Sequence, residues 1–275
     1  MISDMNEKTF YTKEMAEFFK SLKIQLRVIY ALLMREIITR YGRHNIGFAW
    51  LFVEPMIFTL GVAALWHFLK DAHGASYSII PFAITGYSTI LMWRNSANRV
   101  GNAVEANIGL LYHRNVKVID VFVARALLES VGATISLVVL LLGFIAIGSI
   151  DFPSNFLLMV YAWILLFWFT IALSLVVGAI FQLSDVLDRL WHAVTYLLFP
   201  VSGAGFFVHW LPVNVQEIVL YLPMVHTTEM LRHGYYGDLV PTYENPSYVI
   251  WFNICLSFIG LVLVKHISNK LEASS

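Results

Sequence analysis

Charge is scarce in this chain. Only 13% of its 275 residues are Asp, Glu, Lys or Arg, while 59% are hydrophobic and the mean hydropathy is +0.70. Soluble domains carry about twice that share of charge, so the composition excludes an ordinary soluble domain and points to an integral membrane protein. Cysteine is almost absent: Cys255 stands alone, which excludes an internal disulfide, and its apolar surroundings in the sequence predict a small buried hydrophobe. No G-x-x-x-x-G-K-[ST] phosphate loop occurs, so the chain does not hydrolyse ATP by that route. No Gly/Ser-rich linker or internal repeat divides it. The first 20 residues are polar and lack a signal-peptide pattern, so the membrane segments themselves are expected to target the chain. Acidic and basic residues balance at 18 each, and no nucleic-acid partner is expected.

Long apolar windows are abundant. A hydrocarbon core of about 30 Å needs about 20 apolar residues per helix. By that measure the fold class is all-α with six transmembrane helices, at about 46–69, 77–93, 121–147, 156–181, 190–207 and 248–264. An even number places both ends on one side, and the basic residues choose the side. Lys8, Lys13, Lys20, Lys23, Arg27, Arg35, Arg40, Arg43, Arg94, Arg99, Arg114, Lys117, Arg125, Arg189, Lys265 and Lys270 fall on one face, against Lys70 and Arg232 on the other. The positive-inside rule then puts both termini in the cytoplasm. Residues 1–20 and 267–275 are expected as cytoplasmic tails, and 46–266 as one transmembrane domain. The cytoplasmic segments are too small to form an ATPase domain.

Three segments between the spans carry patterns. In 21–45, Leu22, Leu26, Ile29, Leu33 and Ile37 form one apolar stripe, with Lys20, Lys23, Arg27 and Arg35 away from it. This predicts an amphipathic interfacial helix, either a plain anchor or a lever that a cytoplasmic partner can push, with Arg35 and Arg40 at its far end. After the second span, the run containing Asn107, Leu110, Leu111, Tyr112, Arg114 and Asn115 predicts a short helix. Its apolar knob at Leu110, Leu111 and Tyr112 is expected to be an exposed docking surface or a packing contact with the interfacial helix. On the opposite side, about 209–237 holds two short helical patterns bounded by Pro212, Pro223 and Gly234. Neither can span, and both suit a re-entrant outer hairpin before the last span.

Candidate chemistry is sparse. His226, Glu229 and His233 recur on one helical face and could ligate a metal; equally, His226 or Thr227 could cap that helix and Glu229 pair with Arg232. No catalytic residue and no resident metal are expected. Ionisable residues within spans are costly and draw attention to Glu54 and Glu129. Glu54 precedes Pro55, which permits a kink; the carboxylate either pairs with an arginine such as Arg43 or lines a conduit. Aromatics, 15% of the chain, form interfacial belts or face inward as sugar-stacking surfaces, with Trp50 and Tyr87 the candidates beside Glu54 and Pro55.

These residues resemble a known family. Arg35-Glu-Ile-Ile-Thr-Arg-Tyr-Gly-Arg43, followed by Gly47, Trp50 and Glu54-Pro55, is similar to the signature of type-2 ABC exporter permeases for polysaccharides. Within these, it resembles the capsular polysaccharide export permeases of Gram-negative bacteria. Leu110–Val116 with Asp120 and Ala124-Arg125 resembles the family's coupling helix and third span. Pro223, His226, Glu229, Leu231, Arg232, Gly234 and Gly237 resemble its outer re-entrant helices, a gate. The likeness runs from Leu22 through the last span and extends to O-antigen and teichoic acid permeases, so another cargo, drugs included, stays open. The resemblance implies a homodimer with a continuous channel for a lipid-linked polysaccharide. It also implies a separate ABC ATPase that binds the ATP and magnesium, contacts through the coupling helix, and a periplasmic adaptor.

Overall fold

The computed structural model describes residues 2–41, 45–70, 78–111 and 116–274. Tyr112, Arg114 and Asn115 of the expected docking segment lie outside the described residues, as does Arg43, and the side chain of Arg40 is likewise not described. Among the described residues the regular structure is helical: α1 Ile2–Tyr41, α2 Asn45–Lys70, α3 Ile79–Arg99, α4 Ala103–Leu111, α5 Val118–Ala146, α6 Phe156–Phe181, α7 Asp185–Val201, α8 Val213–Val219, α9 Pro223–Tyr236 and α10 Pro246–Ser274, with two 3-10 turns flanking α8 and α9.

Local chemistry sets several boundaries. The Asn155 side chain accepts from Leu158 N at 3.0 Å and caps α6, and Ser184 accepts from Val186 N at 3.2 Å at the start of α7. The Asp120 carboxylate accepts the Lys117 N–H at 2.9 Å and fixes the start of α5. Pro223 occupies the first turn of α9, where its missing N–H costs nothing, and Gly237 ends that helix at φ 59°.

α3, α5, α6 and α10 each run between two ends of the bundle, α5 in the opposite sense to the other three. At one end Leu32 of α1, Val104 of α4, Phe122 of α5, Phe181 of α6 and Ile267 of α10 share a core. At the other, Phe82 of α3, Leu141 of α5, Met159 of α6, Met230 of α9 and Val249 of α10 pack together. Between them, Trp93, Leu166, Phe169 and Met224 form a middle layer. α3 is the axis: sixteen of its 21 residues are buried, and it packs against α2, α5, α6, α7 and α9.

Four helices, α2, α5, α6 and α10, are long and apolar enough to cross a membrane. α3 is long enough but less apolar, and α7, at 17 residues, is short. Burial explains the difference. In the apolar windows of α2 and α10 only 22% of residues are buried, so those helices need an apolar exterior; α3 is wrapped by protein and tolerates Ser, Thr and Asn.

Several expected bounds move. α1 is helical from Ile2, rather than a tail to residue 20 and a helix from 21. The second expected span continues to Arg99, and the fifth shifts to 185–201, because Ser184 caps it and the chain turns at Gly203, φ 83°. α10 continues as helix through the expected C-terminal tail. The two short helices between α7 and α10 are present, with α9 three residues longer at each end than its sequence pattern suggests. Cys255 is exposed on α10, contrary to the expected burial, because α10 turns most of its surface outward.

Candidate functional site

At the α4 end, α1 lies against α5 with Gln25, Val28, Leu32 and Glu36 inward. These are spaced 3, 4, 4, a face rotated from the expected stripe, of which Leu22 and Leu26 are exposed and Ile29, Leu33 and Ile37 half-buried. The inward face carries polar groups because α5 offers matching ones: Gln25 bonds Asp120, and Arg125 pairs with Glu36 at 2.8 Å. Leu22, Leu26, Tyr30 and Met34 of α1 are exposed.

Arg35 ties α1 to α4. Its Nη1 donates to Asn107 Oδ1 and its Nη2 to Ala106 O at 3.2 Å. Asn107 is buried and donates to Ala103 O at 2.8 Å, so it is braced within its own helix. Leu110 and Leu111 are half-buried against the shared core that includes Leu32 of α1, as in the packing alternative rather than that of an exposed knob. A nine-residue helix needs one apolar side to hold it down, and these two leucines supply it. The exposed apolar residue of α4 is Ile108, beside exposed Glu105, Ala106 and Gly109.

Deeper along the bundle, Arg99 of α3 bridges two carboxylates. Its Nη2 donates to Glu54 Oε1 at 2.9 Å and its Nη1 to Glu129 Oε2 at 3.2 Å. Arg99, rather than Arg43, is therefore the described partner of Glu54. Glu129 is buried, while the Glu54 side chain is 49% exposed. Pro55 is buried inside α2, which continues unbroken through it. Trp50 and Glu54 lie on the exposed face of α2. Tyr87 lies beneath that face, buried, its ring 5.8 Å from Phe58 and 6.1 Å from Phe199. Sequence reasoning flagged both glutamates but missed Arg99; an arginine near the end of a span that also holds opposite charges was the available signal.

At the opposite end, α9 is buried along nearly its whole length. The fully buried Arg232 guanidinium donates to Gly203 O at 2.8 Å, Ala204 O at 2.9 Å and Phe206 O, holding the turn after α7. It stacks over Phe82 at 4.2 Å and Phe207 at 4.7 Å. Gly86 makes room for this: a Cβ there would meet Ala204 O at 2.3 Å and Arg232 Nη2 at 2.7 Å. Glu229 lies 3.8 Å from Arg232, the expected i, i+3 pair. Its Oε1 also accepts from Val208 N at 3.4 Å. Burial pushes the Glu229 carboxyl up to about 7 against the opposing pull of the Arg232 charge.

Neither His226 nor Thr227 caps α9, because Pro223 starts it one turn earlier. His226 Nε2 donates to Leu220 O at 2.8 Å and Nδ1 accepts from Asn245 N at 3.1 Å, a neutral tautomer, and burial pulls its pKa down. His233 instead contacts Glu244. The three side chains considered for a metal thus serve different partners, and no group of three metal-capable side chains gathers among the described residues. The strap at 241–245 was missed in the sequence; it holds no periodic pattern, only a run of histidine partners brought close by the fold.

A family model described as ABC-2 type transporter matches residues 27–236. The chain is 48% identical to the capsule polysaccharide export inner-membrane protein CtrC of Neisseria meningitidis serogroup B, over 93% of this chain and 96% of that protein. It is 47% identical, over the same shares, to the capsule polysaccharide export inner-membrane protein BexB of Haemophilus influenzae. The polysialic acid transport protein KpsM of Escherichia coli is 29% identical over 88% of this chain and 94% of its own length.

Proposed function

Because the chain belongs to the ABC-2 type transporter family, we propose that it is the membrane-spanning permease subunit of an ATP-driven exporter of capsular polysaccharide. The cargo is a lipid-linked glycan carried outward across the inner membrane. ATP and magnesium bind a separate ABC ATPase, and this chain is not an enzyme. Two copies form the conduit, and a periplasmic adaptor continues the route beyond it. The observation that carries this reading is the identity of 46–48% to capsule export inner-membrane proteins along 93% of the chain.

In this reading α2, α3, α5, α6, α7 and α10 are the six spans. α3 crosses because the other helices supply the apolar exterior that its own sequence lacks, while α7, at 17 residues, is short but turns its own Val186, Leu190, Val194 and Leu197 outward. The α4 end faces the cytoplasm, in keeping with the basic residues there, and α8 and α9 form a re-entrant gate at the outer face. The exposed patch of α4 around Ile108 receives the ATPase. A push on α4 passes through Asn107 and Arg35 into α1, and from α1 into α2, whose exposed face with Trp50 and Glu54 borders the conduit.

The test is purification of the tagged chain from its native host in mild detergent, with mass spectrometry and an ATPase assay. An ABC ATPase in equal amount is the expected result, and Ile108→Asp, which places a charge on the docking patch without opening the core, should abolish its recovery. A permease recovered alone would overturn the reading.

A further inference from the structure

We propose that Arg94, seated on Tyr196 and Phe199, is a binding site for an oxyanion carried by the cargo. Arg94 lies on α3, half-buried, with its guanidinium 5.1 Å from the Tyr196 ring centroid and 5.8 Å from that of Phe199. Three other arginines that the bundle encloses are paired: Arg99 with Glu54 and Glu129, Arg125 with Glu36, Arg232 with Glu229 and three carbonyls. Arg94 differs. Among the described residues no carboxylate lies within ion-pair distance of it, and the contacts its guanidinium does make are with two aromatic rings. An uncompensated cation within a bundle of apolar helices is costly, and such residues mark functional sites.

The geometry selects the ligand class. The rings take the face of the guanidinium, which leaves its edge, a planar fork of N–H donors, for a carboxylate or phosphate. The site opens outward from the protomer, since Tyr196 is 69% exposed. It continues into an aromatic run: Phe199 is 6.1 Å from Tyr87, which stands two turns from Arg94 on the same face of α3, and Tyr87 is 5.8 Å from Phe58. A charged handle beside stacking rings suits a polymer bearing sugar faces and acid groups. Half exposure keeps each contact weak enough to release, as a moving cargo requires. The inference rests on the permease reading and adds the side chains that grip an acid group of the cargo, Arg94 with Tyr196 and Phe199. The oxyanion is either an acid group of the glycan or the phosphate of its lipid anchor.

The test uses the chain co-purified with its ATPase in nanodiscs of phosphatidylcholine. Binding of oligosialic acid, a neutral maltooligosaccharide of equal length and glycerol phosphate is measured for the unaltered protein, Arg94→Gln, Arg94→Lys and Tyr196→Leu. Arg94→Gln should weaken an acidic probe at least tenfold and leave the neutral one unchanged. Arg94→Lys should recover part of the loss, and Tyr196→Leu should weaken the acidic probe while keeping the charge. Loss confined to oligosialic acid assigns the oxyanion to the glycan; loss confined to glycerol phosphate assigns it to the anchor. Unchanged acidic binding in Arg94→Gln, equal loss of acidic and neutral probes, or no acidic binding by the unaltered protein would overturn the site. The permease reading is tested separately in a strain lacking the gene, where the unaltered chain must restore surface polysaccharide whatever Arg94→Gln does.

Discussion

Buried ionisable groups here are held by specific partners, and their chemistry is testable side chain by side chain. Glu229 binds its proton more tightly in the folded chain than an unfolded glutamate does, since its pKa rises from 4.5 to about 7. Below about pH 4.5 both states hold the proton and it contributes nothing. Between about 4.5 and 7 the unfolded state gives up its proton first, so stability falls as pH rises. Thermal unfolding in detergent should therefore show the native protein losing more stability from pH 5 to pH 8 than Glu229→Gln. The difference is on the order of 3 kcal/mol at most, by the free energy of a pKa shift. Equal losses would mean that Glu229 keeps a normal affinity for protons. The Glu229–Arg232 pair was legible from its i, i+3 spacing. The carbonyls of Gly203, Ala204 and Phe206 around Arg232 were not, because backbone acceptors carry no residue signature and meet Arg232 only after the chain has folded.

Among the elements, α4 and α1 form the unit whose behaviour is most open to test. Arg35→Ala removes two hydrogen bonds to α4 but touches neither Ile108 nor the leucines that anchor the helix. The ATPase should still bind, while surface polysaccharide falls several-fold and ATP hydrolysis continues. Loss of ATPase binding in this variant would make Arg35 part of the docking surface instead of a link behind it. The α1 helix was legible as a helix, and its buried face was not. The stripe that periodicity finds lies at the edge of the contact, with Leu22 and Leu26 exposed and Ile29, Leu33 and Ile37 half-buried, while the inward face includes Gln25 and Glu36, whose partners on α5 no apolar pattern reveals. α9 was under-read because its polar residues, Thr227, Thr228, Glu229 and Arg232, interrupt any apolar pattern, yet all are buried by partners from α3 and the turn after α7. The ends of α6 were legible because Asn155 and its apolar run leave one choice.

At the scale of the whole molecule, four of the six spans expected from the sequence are long and apolar enough to cross a membrane on their own, and the crossing proposed for α3 leans on the helices that wrap it. The six crossings proposed would place α1 and the end of α10 on one side, and both contribute to the same core at the α4 end. Reporter fusions at the two termini should give the same sidedness, with the α8–α9 segment opposite; opposite signals at the termini would remove one crossing. The buried, polar α3 has a further consequence, for biosynthesis. A helix carrying Arg94, Asn95, Asn98 and Arg99 partitions poorly into lipid when it leaves the ribosome. Its neighbours α5 and α6 are translated only later. A nascent chain halted after α3 should therefore leave that segment outside the bilayer or loosely held, and one halted after α6 should hold it firmly. Insertion of this protein is then not a sequence of independent steps: an early helix waits for late ones, and synthesis passes through an interval in which the chain is open to quality-control proteases.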